Sequence, residues 1–371
     1  MVLKQIELQN FRLHKNTSLD FSDKLNLIVG GNGQGKTSIL EAIYYLCTTK
    51  NLNMSAEEDA VTFGESNFSI GGLFNELTEN KARLYYDSIK NKKYFFLDEK
   101  QINRSTEVIG KFPIVSLIQS DHAITQGAPS ERRRFVDSVA SQASRTYLEL
   151  LLDYSKTLRQ RSSLLSQIKE TRNNVLFEQL DAWTESLITS GTEIINRRIK
   201  FVQEFNVYVK EAYSSVVELI EKPHIEYQTL AEIDGENTAE KFREELNAFR
   251  DDELRRGINL VGPHRDDFIF YINGMELKRF GSQGQHKTFQ IALRFAQFFF
   301  IKEKLGKTPI FLMDDVFGEL DTYRAGKISE YLLQIGQAFI TMTDLTNKDG
   351  LNITSDNTLI KVENGKTTFA N

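Results

Sequence analysis

The stretch Leu25-Asn26-Leu27-Ile28-Val29-Gly30-Gly31-Asn32-Gly33-Gln34-Gly35-Lys36-Thr37-Ser38-Ile39-Leu40-Glu41-Ala42-Ile43-Tyr44-Tyr45-Leu46 decides the fold. Its start, Leu25 and Leu27 to Val29, is the short apolar run of a strand covered on both faces, and SILEAIYYL at its end carries helical patterning. Between them Gly30 to Thr37 fits G-x-x-x-x-G-K-[ST], a loop whose backbone N–H groups wrap the phosphates of a nucleotide at a helix N-terminus. Glycines are required because the backbone must take unusual φ and come close to the phosphates. Gly30, Gly31, Asn32, Gly33, Gln34 and Gly35 form the cradle, Lys36 reaches the β- and γ-phosphates, and Thr37 ligates Mg²⁺.

Such a loop needs a metal partner. Pro309-Ile310-Phe311-Leu312-Met313-Asp314-Asp315 is an apolar strand that delivers two adjacent carboxylates at its C-terminal end, where open α/β sheets bind ligands. Asp314 is the candidate for the Mg²⁺ shell and Asp315 for polarising the attacking water; the bland alternative is a strand end with solvated acids. Phe280-Gly281-Ser282-Gln283-Gly284-Gln285 opens a helical run from His286 to Lys304. Ser282 and the backbone behind it, Gln283 to Gln285, therefore form a second anion-binding helix terminus.

Elsewhere the texture alternates between strands and helices. Ile6 and Leu8 against Gln5 and Glu7 read as a half-buried strand, and short aromatic-rich runs from Phe68 to Leu97 read as an antiparallel meander. From Pro129 to Gly257 the patterning is helical. Leu176, Leu180, Trp183, Leu187, Ile195, Ile199, Val202 and Val209 mark the apolar stripe of a helix running from Val175 to Ile220. After Gly257, Asn273-Gly274 between alternating segments signals a hairpin. A helical stretch is thus inserted into one split α/β domain.

The 371 residues, 40% apolar and 26% charged, are those of a globular chain and exclude disordered, collagenous and disulfide-stapled classes. One cysteine makes no internal disulfide; Cys47, inside IYYLC, reads as a buried structural thiol. MVLKQIELQNF has no apolar core of a signal peptide, and Phe295 to Ile301 is too short to span a bilayer, so a cytoplasmic protein without a membrane partner is expected. The net charge of −5 denies the chain a global basic field. Residues 131–210 hold 13 Lys/Arg against 10 Asp/Glu, whereas 211–260 hold 6 against 13, so only the first part suits phosphates; a solvated helical face explains the counts equally.

LQNFRLHKNTSLDF (8–21), the loop segment (25–46), GAPSERRRFVD (127–137), VGPHRDDFIFYING (261–274), GSQGQHKT (281–288) and FLMDDVFGELD (311–321) run over nearly the whole chain. In these motifs the sequence resembles ABC-type ATPases of the SMC-like branch, and among them the RecF-like recombination mediators. The resemblance implies an ABC-type P-loop ATPase head: a mixed sheet with flanking helices and an antiparallel β add-on. Its N-terminal lobe, 1–128, and C-terminal lobe, 258–371, are split by an inserted helical arm, 129–257. It also implies ATP and Mg²⁺ as cofactors and a head-to-tail homodimer closed by ATP. Double-stranded or gapped DNA would be clamped in it, RecR and RecO would be partners, and RecA loading the outcome.

Residues carry over singly. Ser282 to Gln285 match the signature that touches the γ-phosphate held by a partner subunit, and Asp321 matches the loop approaching that nucleotide. Asp315 stands where most ABC ATPases place glutamate, as is usual for RecF-like chains, and its shorter reach suits slow, switch-like hydrolysis. Gln119, in Gln119-Ser120-Asp121 where RecF-like chains commonly read Pro-Glu-Asp, is either the lid glutamine or a drifted loop residue. Arg12 either approaches the adenine or α-phosphate or is a surface arginine. Arg132, Arg133 and Arg134 serve either ion pairs or DNA. FITMTDL offers Thr341 and Thr343 but no switch histidine, which leaves γ-phosphate sensing unassigned. His264 lacks a second histidine at ligand spacing.

Three rivals remain. A defence-type SMC-like ATPase would normally bring a nuclease domain, and a small-molecule P-loop kinase has no use for Ser282 on a signature helix. A nucleotide-switched scaffold without DNA affinity is compatible with the acidic charge.

Overall fold

The computed structural model describes residues 1–371 except 54, 172–173, 218–220, 230–236, 317–321, 333, 345–355 and 370–371, and the backbone alone at 174 and 322–324. The chain opens with β1 (Val2–Phe11), β2 (His14–Asp20), β3 (Leu25–Val29), α1 (Lys36–Thr48), β4 (Asn67–Asn75), β5 (Glu79–Asp87), β6 (Lys92–Leu97), β7 (Lys100–Ile102) and β8 (Ile114–Leu117). Helices α2 (His122–Gln126), α3 (Pro129–Ala143), α4 (Arg145–Thr171) and α5 (Asn174–Val216) precede β9 (Pro223–Gln228), α6 (Thr238–Ala248) and α7 (Arg250–Arg256). Then come β10 (Asp267–Ile272), β11 (Met275–Glu276), α8 (Leu277–Phe280), α9 (Gln283–Leu305) and β12 (Ile310–Asp314). The last elements are α10 (Thr322–Leu332), β13 (Ala338–Met342), β14 (Thr358–Glu363) and β15 (Lys366–Phe369). Among the described residues no helix is long and apolar enough to cross a membrane.

Two units are distinct. One takes residues 1–121, 215–218 and 293–371; the other takes 122–214 and 219–292. In the first, a six-stranded sheet of order β15-β14-β3-β13-β12-β8 is parallel except for β15. A second sheet, β2-β1-β4-β5-β6-β7, is antiparallel throughout. The add-on sheet is thus wider than the meander at Phe68–Leu97, because β1, with Ile6 and Leu8 buried and Glu7 exposed, pairs with β4. Helix α1 touches strands of both sheets and is buried along most of its length. Ile39, Leu40, Ile43, Tyr45 and Leu46 share one cluster with Ile6, Phe68 and Phe74 of one sheet and Ile28, Leu312 and Phe339 of the other. At about 1.5–3 kcal/mol for each large apolar side chain buried, this helix is a firm base for the loop in front of it. Cys47 lies on it, and burial pushes its thiol well above the ordinary range.

In the second unit α5 is 43 residues long, about 64 Å at ~1.5 Å per residue. Leu180, Leu187, Ile195, Val202 and Val209 of the expected stripe are buried, while Leu176, Trp183 and Ile199 are half-buried. Leu180 packs with Leu164, Leu165 and Ile168 of α4. The hairpin turns at Asn273 (φ 52) and Gly274 (φ 78), the two left-handed positions that Asn-Gly favours. β10 also pairs along its length with β9 and packs on α3. That pairing explains why residues 258–292 belong to this unit, although sequence texture placed them with the C-terminal lobe from 258 onward.

Arginines knit this unit together. Arg161 bridges Glu253 at 2.5 Å, Arg198 bridges Asp137 at 2.8 Å and donates to the Pro263 carbonyl at 2.7 Å, and Arg132 grips both oxygens of Asp267. Arg133 donates to the Asp266 carbonyl, and Arg134 pairs with Glu131 at the surface. All three arginines of the 132–134 run therefore serve contacts within the chain.

His264 lies 2.7 Å from the Tyr154 hydroxyl through Nδ1. Burial first, then the charges of Arg265, Arg133 and Arg161, push its pKa down to about 4. Since the fold prefers the neutral ring, its contribution to stability is complete above the ordinary value of 6.5 and is lost as pH falls from there to about 4. We expect His264→Gln to flatten the loss of stability between pH 7 and pH 4 by up to about 3 kcal/mol, read as the wild-type minus variant difference in urea unfolding. Equal slopes for the two proteins would contradict this.

Candidate functional site

Strands β3, β13 and β12 are parallel neighbours, so their C-terminal ends share one edge of the sheet, and the glycine loop and the carboxylate strand meet there. Gly35 caps α1 with φ 105, which a side chain would strain. Lys36, buried, turns its ammonium back into the loop and donates to the carbonyls of Gly30 (2.6 Å) and Gly31 (3.0 Å). The Thr37 hydroxyl sits 2.9 and 3.1 Å from the two oxygens of Asp314. Burial drives the Asp314 carboxyl above the ordinary range, against the pull of hydrogen bonds from Thr341 and Thr37. A desolvated carboxylate with a hydroxyl turned onto it is an oxygen donor set for a hard cation, and the pair fits Mg²⁺, which takes one or two carboxylates together with substrate phosphates.

Asp315 stands just beyond the strand with φ 52, a left-handed conformation that is rare for a residue with a side chain and stores of order 1 kcal/mol. Its N–H donates to the Thr341 hydroxyl at 2.9 Å.

The loop also has supports that sequence reading did not find. His14 is buried on β2; its Nε2 donates to the Gly35 carbonyl at 3.0 Å, and burial lowers its pKa, which keeps the ring neutral. The turn between β14 and β15 clasps the loop apex: Asn364 N–H donates to Gln34 Oε1 at 2.6 Å and Gly365 N–H to the Gln34 carbonyl at 3.0 Å. The signal for this turn was present, because Asn364-Gly365 lies between two alternating segments. For His14 the only hint was a polar residue at an inward strand position.

The other candidates fall at several places. Arg12 is bound to Glu41 of α1 by two bonds, at 2.9 and 3.0 Å, and donates to the Asp59 carbonyl and Ser55, so its guanidinium is engaged within the chain. Gln119 is exposed, just past β8, the neighbour of β12. Two residues on, Asp121 is buried and paired with Arg294 at 2.5 Å, which fixes that turn. In the other unit Ser282 is exposed at the start of α9. Ser282 Oγ accepts from Gln285 N–H at 3.2 Å and Ser282 N–H donates to Gln285 Oε1 at 2.9 Å, a capping box. Gln283 and Gly284 fill the turn between them. Asp321 lies outside the described residues.

Residues 2–367 match the family described as RecF/RecN/SMC N terminal domain. The DNA replication and repair protein RecF of Chloroherpeton thalassium is 40% identical over 354 residues, 93% of this chain and 95% of that protein. That of Salinibacter ruber is 36% identical over 351 residues, 92% and 85% of the two. A solved structure described as the recombination mediator protein RecF-ATP in the RecFOR pathway is 30% identical with a TM-score of 0.91, covering 100% of this chain and 97% of that one. An Smc head domain from Pyrococcus furiosus, 14% identical at a TM-score of 0.57 over 99% of this chain and 95% of that one, shares the fold.

The clasp on Gln34 is testable. Gly365 has φ 72, and a Cβ there would lie 2.2 Å from the Leu13 carbonyl oxygen, so Gly365→Ala must displace the turn. We expect it to weaken binding of a fluorescent nucleotide by about tenfold or more, equivalent to ~1.4 kcal/mol, and Gln34→Ala, which keeps the main-chain bond, to weaken it less. Unchanged affinity in Gly365→Ala would show that the turn does not shape the loop.

Proposed function

The chain belongs to the RecF family of RecF/RecN/SMC proteins, and on that footing we propose that it is an ATP-switched DNA-binding protein of recombinational repair and replication restart. The observation that carries the reading is the contact of Thr37 with Asp314 beside the glycine cradle, the arrangement a nucleotide triphosphate and its cation require. Support also comes from a relative of 30% identity that is described with ATP.

Thr37 and Asp314 would hold Mg²⁺, which offsets charge on the β- and γ-phosphates. Lys36 would exchange its two carbonyl partners for phosphate oxygens, and Gly30 to Gly35 would surround them through backbone N–H groups. Asp315 would orient the attacking water. One methylene shorter than glutamate, it suits slow hydrolysis that times a switch rather than driving a motor.

Ser282, exposed on its capped helix, would meet the γ-phosphate held by a second copy, so that ATP stabilises a closed homodimer by mass action. Such a dimer would clamp double-stranded DNA at gaps, hydrolysis would release it, and RecR and RecO would join it to promote RecA loading. DNA would be held through phosphates, with a steep dependence on salt. A nucleotide-switched scaffold without DNA affinity is the second reading, favoured by the net charge of −5.

Sedimentation with ATP and Mg²⁺ tests the switch. Lys36→Ala should stay monomeric, and Asp315→Asn should remain dimeric with hydrolysis lowered by about 10²-fold, as for loss of a group acting in the transition state. A monomeric Asp315→Asn would overturn the shared-nucleotide dimer. Titration of gapped DNA, with and without ATP and across salt, separates the DNA clamp from the scaffold: the clamp requires ATP-dependent affinity that falls steeply with salt.

A further inference from the structure

Strand β13 lies between the loop strand β3 and the carboxylate strand β12, and its Thr341 is in register with Asp314 on one side and Ile28 on the other. Thr341 is fully buried. Its hydroxyl donates to Asp314 Oδ1 at 2.7 Å and accepts from Asp315 N–H at 2.9 Å. A hydroxyl can do both at once because it carries one hydrogen and two lone pairs; valine, of the same shape, can do neither.

The two bonds have different consequences. The bond to Asp314 fixes the carboxylate that also receives Thr37, so one side chain of the cation site is held from the helix side and from the sheet side. The bond from Asp315 ends on a residue with φ 52, where an unsupported backbone would relax toward ordinary angles and carry its carboxylate elsewhere. From this geometry we infer that Thr341 is a positioning residue for hydrolysis, aligning Asp314 for the cation and Asp315 for the water through one hydroxyl. This inference rests on the nucleotide reading above.

The test compares wild type with Thr341→Val and Thr341→Ser. A fluorescent ATP analogue is titrated with and without Mg²⁺, hydrolysis is followed as kcat and KM, and melting curves report folding. In Thr341→Val, nucleotide affinity without Mg²⁺ should stay within about twofold of wild type, while the gain in affinity on adding Mg²⁺ and kcat both fall about tenfold or more. Because hydrolysis is slow, KM follows the dissociation constant and should rise with the lost Mg²⁺-dependent affinity, and Thr341→Ser should restore these losses to within about threefold. Should Val not fold, Thr341→Ala, which likewise lacks the hydroxyl, is read in the same way.

A Val or Ala variant with unimpaired Mg²⁺ response and rate overturns the inference. So does a Ser variant as defective as Val, which would make the role one of packing. A wild type without Mg²⁺-dependent nucleotide binding overturns the proposed function and this inference with it; an active wild type beside an unimpaired Val variant overturns this inference alone.

Discussion

The contact between Thr37 and Asp314 joins residues 277 positions apart in the chain, and the first unit is organised so that they can meet. Parallel strands place all their C-terminal ends on one edge, so a loop leaving β3 and a carboxylate ending β12 arrive at the same place without any long excursion. The contact tolerates little error, since a hydroxyl–carboxylate bond weakens quickly beyond about 3 Å. Seating α1 between two sheets, its apolar residues in one cluster with both, supplies that accuracy: the helix cannot rotate or slide without opening a void in a close-packed core. A desolvated carboxylate is the energetic consequence, and the proposed cation would offset that desolvation.

Motifs in which sequence neighbours become structural neighbours are legible in the sequence alone. Gly30 to Thr37, the strand ending at Asp314, and Asn273-Gly274 each carry their instruction within a few residues. Pairings between distant segments are not. Nothing local in β1 says that its partner is β4, and nothing in FITMTDL says that Thr341, rather than Thr343, faces Asp314; both depend on register across strands contributed by separate parts of the chain. His14 escaped notice for a related reason, since a single inward polar residue declares its purpose only once its carbonyl partner on the loop is in place.

Counting charge left two readings of 131–210 open, a face for phosphates and a solvated helical face. Three of its cations serve neither: Arg132, Arg161 and Arg198 are each 4% exposed or less and are committed to carboxylates or carbonyls inside the unit. Removing those three from the 13 cations leaves 10, equal to the 10 acids of the same stretch before their own pairing is considered. Arginine is suited to such interior work because its planar fork satisfies two oxygens at once. Composition therefore describes the charge a helix owns, not the charge it shows.

The turn at Asn364 and Gly365 reaches back 330 positions to Gln34. During synthesis, α1 and the loop in front of it leave the ribosome long before that turn exists, and β12 with Asp314 is also still to come. A half-made chain therefore has the signature of a phosphate cradle without its braces. The contacts that shape the loop are complete only once almost the whole polypeptide has been translated.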